Sequence, residues 1–265
     1  MTMSKNLIFS IDIGTTSLKA AIFYYDGKIQ KFERYSYDKF SITWSNLHFL
    51  NDFYEYLQDV AIIAISAQSP SIVPLLSNGK IGQPLFYFQE NTNLWHKDCP
   101  SVFLPKAAYH QQNFVYEYRA TRCYLSFGDY LVYLLTGQTW TSLPQWDYQQ
   151  SVWTNQQIAR YNLDQEKFPP YLLANQTAGY TQEKLTCPSG IRVLGSTYDF
   201  LSALEGLDAL HPEIAGDRTG SSLGLNFFFT ETDMPRVMKD KPLPNLQWNI
   251  YCLLYTSDAA DDLIG

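Results

Sequence analysis

Residue types that could do chemistry first cluster near the amino terminus, in the run DIGTTSLK at positions 12–19. A glycine lets backbone N–H groups approach an anion closely, while hydroxyls and an ammonium group add donors for phosphate oxygens. The aspartate could hold Mg²⁺ through water, as that ion prefers. The run differs from the GxxxxGK[ST] loop of P-loop proteins. It therefore predicts either a phosphate-binding turn of another kind or an ordinary β-hairpin with an aspartate at the strand end.

A second candidate is Asp199, which follows the predicted strand 191–194 and a short turn that begins at Gly195. Asp199 stands at the start of a predicted helix, where an aspartate is a natural N-cap. The position also lies at the carboxyl end of a strand, where substrates of open α/β sheets bind. There an aspartate could accept the proton of a substrate hydroxyl during phosphoryl transfer. Both interpretations stay open.

A third stretch, DRTGSSLG at positions 217–224, again combines hydroxyl residues with glycine ahead of a predicted strand. By the same physical argument it could cradle a phosphate group. Taken alone, it is better explained as a plain loop.

The elements that must position these residues alternate between strands and helices, which indicates an α/β fold. Apolar runs and turn signals predict strands at 7–13, 18–25, 28–37, 60–66, 71–76, 85–88, 191–194 and 223–229. The first three would form a meander, with Asp26-Gly27 as a hairpin turn. Helical spacing predicts helices at 47–58, 103–113, 115–125, 128–135 and 200–210, with Thr154 as the N-cap of a further short helix.

Composition narrows the class of protein. A hydrophobic fraction of 46% with 17% charged residues is typical of a folded globular chain. With a net charge of -7 and no basic run, neither nucleic acid nor an anionic membrane surface is an expected partner. The cysteines and histidines show no metal-ligand spacing, so we expect reduced thiols and a cytoplasmic location. The apolar run at 7–13 is too short to span a membrane.

In combination, the DIGTTSLK run, the G-x-x-x-D spacing from Gly195 to Asp199 and the TGSS turn at 219–222 resemble the FGGY family of carbohydrate kinases. The resemblance extends from about Asn6 to Phe229. The segment 69–75 is similar to the stretch that lies beside the sugar in that family. The segment 103–106, followed by DYLVYLLTG at 129–137, is similar to the family's helical insertion.

The resemblance implies an α/β chain with an actin-like, ribonuclease-H-like mixed sheet, the first of two such domains, with most of the second missing. Residues 1–211 would be the sugar-binding domain and residues 212–250 the start of the nucleotide-binding domain. Family enzymes are nearly twice as long as these 265 residues. Residues 251–265 look like a translated sequencing adapter, and we expect this tail to be non-native. The chain alone should then be inactive or nearly so.

The resemblance also implies an enzyme that uses ATP and Mg²⁺ to phosphorylate a small-molecule sugar. Asp12 would organise the metal ion and Asp199 would be the general base. The predicted phosphate-binding residues are Gly14, Thr15, Thr16 and Lys19 in the first turn and Thr219, Gly220 and Ser221 in the second. Candidates for the sugar pocket are Gln68, Gln89, Glu90, Trp146 and Asp147.

Two departures from the family pattern leave the details of the site open. The sequence Ser196-Thr197-Tyr198 stands where many members have a Gly-Gly or Gly-Ala step, which puts the exact turn before Asp199 in question. The familiar tryptophan-x-aspartate sugar contact is not evident, so neither the sugar nor the oligomeric state is predicted. The alternatives are a non-catalytic sugar-binding remnant and another type of actin-like ATPase.

Overall fold

The computed structural model describes residues 6–89, 94, 99–183, 187–208, 215–219 and 223–227. The chain divides into two units, Met1–Asp199 and Phe200–Gly265. Most of the described residues belong to the first unit. The division into domains at residue 211 stays a prediction.

The described strands are, in chain order, β1 (Leu7–Ile13), β2 (Ser17–Tyr24), β3 (Ile29–Ser36), β4 (Val60–Ala67), β5 (Ile72–Leu76), β6 (Thr121–Ser126), β7 (Thr141–Leu143), β8 (Tyr171–Leu173), β9 (Thr177–Tyr180), β10 (Arg192–Leu194), β11 (Thr197–Tyr198), β12 (Ala215–Thr219) and β13 (Leu223–Phe227). The described α-helices are α1 (Tyr54–Leu57), α2 (Leu104–Asn113), α3 (Val115–Ala120), α4 (Phe127–Thr136), α5 (Gln149–Val152), α6 (Asn155–Arg160) and α7 (Asp199–Gly206). Short 3₁₀ helices occupy Thr43–Asn46, His48–Phe53, Trp146–Tyr148 and Gln165–Lys167.

A mixed sheet organises the first unit. Its strand order is β3-β2-β1-β4-β10-β9, and β11 pairs with the end of β4. The strands β1, β2 and β3 form the antiparallel meander that the sequence predicts. The strands β1, β10 and β11 all run parallel to β4. The carboxyl ends of β1, β4 and β11 therefore lie at the same end of the sheet, which is where substrates bind in open α/β folds.

The two faces of this sheet differ in burial. Along β1, the side chains of Phe9, Ile11 and Ile13 are fully buried, while those between them are half-buried. This period of two is the one a strand requires when one face covers a core. Phe9 packs against Phe53, with ring centroids 4.8 Å apart. Asp12 consequently projects from the opposite, more open face.

Two predicted helices are wrong in part, for different reasons. Residues 47–58 form the 3₁₀ helix His48–Phe53 followed by the single turn α1, and the segment starts at Leu47 in the left-handed conformation, with φ of 60°. The predicted helix 115–125 ends at Ala120, and β6 follows it. There the long-range pairing of β6 with β5 overrides the local helical spacing.

The predicted strand 85–88 is also wrong: only Leu85 forms a bridge, with Ile72, and a turn follows. In the second unit, the predicted strand 223–229 is confirmed as β13. It pairs antiparallel with β12, from Ala215↔Phe227 to Thr219↔Leu223, so the two strands form a two-stranded sheet.

The lysine of the predicted insertion motif, Lys106, is unusual because its side chain is 0% exposed in α2. Burial disfavours the ammonium form and lowers the pKa of Lys106 to about 8, from 10.5. Between these pH values the unfolded chain carries a proton that the native protein has released. The contribution of Lys106 to the free energy of unfolding therefore rises with pH across this window.

We expect the stability of the wild type relative to Lys106→Met to increase by about 1–2 kcal/mol between pH 7 and pH 9.5. The measurement is chemical denaturation of both proteins at each pH, so that titrations common to both cancel. Lys80→Met is the matched control at an exposed lysine, and its stability difference should stay constant. A flat difference for Lys106→Met as well would contradict the prediction.

Candidate active site

Three neighbouring parallel strands bring their carboxyl ends into line. Asp12 of β1 lies opposite Ser66 of β4, and Ser66 lies opposite Thr197 of β11. Because adjacent strands are about 4.8 Å apart, Asp12 and Thr197 are separated by about 10 Å across the sheet. Asp199 follows Thr197 by two residues and begins α7. The structure therefore brings the two predicted carboxylates, Asp12 and Asp199, to the same end of the sheet.

The carboxylate of Asp12 is held by two partners on the open face. Lys19 donates from Nζ to Oδ2 at 2.8 Å, and Ser66 donates from Oγ to Oδ1 at 2.8 Å. Lys19 is the residue directly opposite Asp12 in the β1–β2 hairpin, so strand register alone places this ion pair. The side chains of Lys19 and Asp12 remain 44% and 29% exposed, which leaves both accessible to a ligand.

The turn that joins β1 to β2 is closed by backbone contacts. The Gly14 N–H donates to the Ser17 carbonyl at 3.0 Å, and a Cβ on Gly14 would lie only 3.1 Å from that oxygen. The backbone hydrogen bond rules out an open loop, and the crowding favours glycine. Thr16 is exposed at the tip, and Thr15 is half-buried.

Tyr37 stabilises this turn, a role that no motif in the sequence indicates. Its hydroxyl donates to the Gly14 carbonyl at 2.7 Å, and its backbone N–H donates to the Thr16 carbonyl at 2.9 Å. Burial and the negative charge of Asp12 raise the pKa of Tyr37, so the hydroxyl keeps its proton and remains a donor. The only available signal was its position, one residue past the end of β3.

Gln68, a predicted sugar contact, lies immediately beyond β4. Its backbone N–H donates to the Ile13 carbonyl at 2.8 Å, which fixes it beside the turn. Its side chain is only 2% exposed, and within the part of the chain that the structure describes neither amide atom has a hydrogen-bond partner. A buried amide without partners is costly unless another group satisfies it. Gln68 therefore has both an amide donor and an amide acceptor without a partner among the described residues.

A further contact links the turn to the segment after β5. The hydroxyls of Thr15 and Tyr87 are 3.2 Å apart, and the Tyr87 N–H donates to Ser71 Oγ at 3.0 Å. Gln89, another candidate, accepts from the Phe86 N–H through Oε1 at 2.8 Å and so closes its own local turn. This segment therefore places the Tyr87 hydroxyl next to the predicted phosphate turn, with the Gln89 amide two residues further along the chain.

Some of the other predicted site residues have described positions, and the rest do not. Trp146 and Asp147 lie on an exposed 3₁₀ helix, and no described contact joins them to the Asp12 turn. The neighbouring Tyr148 ring is 6.3 Å from Tyr198, the residue before Asp199. Thr219 is the last residue of β12. Glu90, Gly220 and Ser221 lie outside the described residues.

The turn before Asp199 accommodates its bulky residues by forming a strand. Ser196 and Tyr198 are buried towards the core, and Thr197 between them is half-buried. This alternation is the one expected of β11, so the turn is confined to the step at Gly195. The Gly195 N–H donates to the Gln176 carbonyl at 3.0 Å. A Cβ there would lie 2.9 Å from the Leu173 carbonyl oxygen and 3.2 Å from Ala174 Cα.

We expect Gly195→Ala to lower the free energy of unfolding by about 1–3 kcal/mol, because the two nearest atoms that a Cβ would meet are backbone atoms that cannot easily move. Thermal denaturation of the variant measures this loss. Gly206→Ala is the matched control, since a Cβ there meets nothing within 4 Å and alanine favours a helix. Equal stability of the two variants would show that the close backbone approach at Gly195 does not exclude a Cβ.

The architecture defines the class of protein by its fold: a mixed sheet of the actin-like, ribonuclease-H-like type found in sugar kinases, as the sequence predicts. Similar solved structures include a ligand-bound xylulose kinase from Lactobacillus acidophilus, with 14% identity, a TM-score of 0.67 and coverage of 83% of this chain and 54% of that one. A xylulose kinase from Rhodospirillum rubrum has 14% identity, a TM-score of 0.69 and coverage of 83% and 55%. Plasmodium falciparum glycerol kinase with ADP has 16% identity, a TM-score of 0.69 and coverage of 84% and 54%.

The predicted resemblance to FGGY carbohydrate kinases is thus confirmed at the level of the fold. No protein-family model matches the sequence, and no curated protein matches it either. The chain spans about half the length of these kinases. Among its described residues, no helix is long and apolar enough to cross a bilayer.

Proposed function

We propose that this chain is the acceptor-binding half of a carbohydrate kinase, which transfers the γ-phosphoryl group of ATP to a sugar hydroxyl. The observation that carries the proposal is the alignment of β1, β4 and β11, which supports placing Asp12, a hydroxyl-rich turn and Asp199 along one end of the sheet. Phosphoryl transfer depends mainly on positioning and charge neutralisation, and these residue types provide for both.

In this mechanism Asp199 accepts the proton of the attacking sugar hydroxyl. The turn of Gly14, Thr15 and Thr16 supplies N–H and O–H donors to the phosphates, and Tyr37 keeps the turn in shape. Lys19, which is 44% exposed and paired with Asp12, is proposed to contact a phosphate oxygen when a nucleotide binds. Thr219, Gly220 and Ser221 are proposed as a second phosphate-binding turn by resemblance.

The residues present fit Mg²⁺ held through water rather than directly. Both carboxylate oxygens of Asp12 already accept a hydrogen bond, from Lys19 and Ser66. No group of three or more possible ligands occurs in the described regions. Mg²⁺ commonly keeps several waters and binds through one or two carboxylates together with substrate phosphates. Bound with ATP, the ion would supply neutralisation of the phosphate charge.

The substrate is proposed to be a small polyhydroxylated molecule bound near Gln68, with Gln89, Glu90, Trp146 and Asp147 as further candidate contacts. The structures similar to this chain include xylulose, gluconate and glycerol kinases. These compounds share hydroxyl groups for which the buried amide of Gln68 offers both a donor and an acceptor. The cytoplasm is the proposed location, because ATP and reduced thiols occur together there.

The first test reads the source DNA onward from the codons for residues 245–265. We expect a frame that continues into a second domain, in which case residues 251–265 are replaced by native sequence. The protein from the continuous frame is then assayed with ATP and Mg²⁺ against ketoses, aldonates and polyols, and ADP release is measured.

Each outcome of the assay decides between the candidate functions. ADP release that depends on one of the acceptors supports the kinase. Acceptor binding by calorimetry without ADP release would overturn it in favour of a sugar-binding remnant. ADP release that no acceptor stimulates would favour another actin-like ATPase.

A further inference from the structure

A third carboxylate near the site, that of Asp129, is almost completely buried. Asp129, in the first turn of α4, is 2% exposed and receives hydrogen bonds from three separate segments. Ser126 donates from Oγ to Oδ2 at 2.8 Å, and Ser196 donates from Oγ to Oδ1 at 3.0 Å. The Ser142 N–H lies 3.3 Å from Oδ1 and 3.2 Å from Oδ2. The carboxylate thus cross-links the start of α4, the strand β7 and the turn before β11.

Capping of α4 does not explain this arrangement. The Ser126 hydroxyl already accepts from the Asp129 N–H at 3.0 Å, and this bond caps the helix whatever the side chain of residue 129 is. Burial raises the pKa of Asp129, and the hydrogen bonds from Ser142, Ser126 and Ser196 oppose that rise. Burying a carboxylate costs free energy unless hydrogen bonds replace its lost hydration.

The surroundings show that the turn is held tightly against α4. A Cβ on Gly128 would lie 2.6 Å from both Cβ and Oγ of Ser196, so only glycine allows this approach. The Ser196 N–H also donates to Ser142 Oγ at 2.9 Å. Both the backbone and the side chain of Ser196 are therefore fixed by the Asp129 cluster, which comprises Ser126, Asp129, Ser142 and Ser196.

Ser196 and Thr197 lie on opposite faces of the chain where it enters β11. Ser196 is buried towards the core, where Asp129 holds it, whereas Thr197 is half-buried in line with Ser66 and Asp12. Asp199 is three residues beyond Ser196. Because only two residues separate Ser196 from Asp199, fixing the position of Ser196 restricts the position of Asp199.

We propose that Asp129 is a positioning residue that acts through Ser196 to set the place of Asp199 at the end of the sheet. This inference rests on the proposed function, because it takes Asp199 as the general base. Misplacement of a reacting group by about 1 Å can lower a rate by about 100-fold. Loss of the Ser196–Asp129 contact should therefore affect the chemical step more than substrate binding.

The experiment compares Ser196→Ala with two matched controls. Ser126→Ala removes a hydroxyl from the same cluster but leaves the Ser196–Asp129 contact. Thr154→Ala removes the hydroxyl that accepts from the Gln157 N–H at the start of α6, in another part of the fold. Asp129→Asn is added as the direct variant, and Ser196→Ala keeps the test decisive should Asp129→Asn fail to fold.

Two readouts separate this inference from the proposed function. Amide hydrogen exchange of residues 197–199, measured on this chain, should be about tenfold faster in Ser196→Ala than in either control. In the protein from the continuous reading frame, Ser196→Ala should lower kcat by about tenfold or more, with KM for sugar and ATP within about twofold of wild type.

Equal exchange in Ser196→Ala and Thr154→Ala would overturn the positioning role, whatever the activity. Faster exchange with unchanged kcat would overturn its link to Asp199. If the wild type is inactive and exchange is still faster in Ser196→Ala, the proposed function is refuted. The Ser196–Asp129 contact would then hold residues 197–199 in place without a catalytic purpose.

Discussion

Asp199→Asn is expected to lower kcat of the protein from the continuous reading frame by about 10²–10⁴-fold, the usual contribution of a positioned general base. The amide has nearly the same shape as the carboxylate but cannot accept the proton of the sugar hydroxyl. Because the change acts on the chemical step, KM for sugar and ATP should remain close to the wild-type values. Steady-state kinetics with the best acceptor from the panel measure both constants.

The matched control is Glu205→Gln, which neutralises an exposed acid on the same helix, α7. It should leave kcat unchanged. If Asp199→Asn keeps kcat within about threefold of wild type, Asp199 serves only as the first residue of α7 and the base must be sought elsewhere. The two interpretations of Asp199 that the sequence left open are thereby separated.

The second large effect is expected for Asp12→Asn, in the Mg²⁺ dependence of the reaction. Removing the charge of a residue that orients a metal ion through water typically weakens metal binding by about 10–100-fold. Lys19 would also lose the carboxylate that now holds it at 2.8 Å. We therefore expect the Mg²⁺ concentration for half-maximal activity to rise by about 10–100-fold, as measured by titration at saturating ATP and sugar.

Asp26→Asn is the control for this variant, because Asp26 caps the β2–β3 hairpin through the Lys28 N–H and lies exposed in the turn. Its Mg²⁺ titration should superimpose on that of the wild type. A normal titration for Asp12→Asn would mean that Asp12 serves only to pair with Lys19.

Local patterns were sufficient for the strands that form the centre of the sheet. The alternation along β1 and the apolar run of β4 belong to strands that have to bury side chains, so the pattern and the structure share one cause. The strand β6 had no such signal. Its strand conformation comes from pairing with β5, whose residue Pro74 lies opposite Tyr124, and a helix there is equally compatible with the local sequence.

The candidate site likewise contains residues that local patterns predict and residues that only long-range contacts bring together. Asp12 was predicted because it stands near the end of a strand, and Asp199 because it starts a helix after a strand and a glycine turn. Parallel pairing then brings both residues to one end of the sheet. The Asp129 cluster could not be predicted from the sequence, because Ser196 is 67 residues and Ser142 is 13 residues from Asp129 along the chain. One partner could have been found: the spacing of Ser126 and Asp129 is that of a hydroxyl N-cap with an acid three residues later.

The alignment of Asp12, Ser66 and Thr197 has a consequence for insertions and deletions. Successive side chains of a strand point to opposite faces, so removing one residue from the middle of β4 would bring a residue of the core face opposite Asp12 and send Ser66 inward. The same deletion in the exposed β2–β3 turn would leave the register of β1, β4 and β11 intact. Length variation should therefore be tolerated in the hairpin turn and excluded from the parallel strands, where a single codon sets which residues lie on the same face as Asp12.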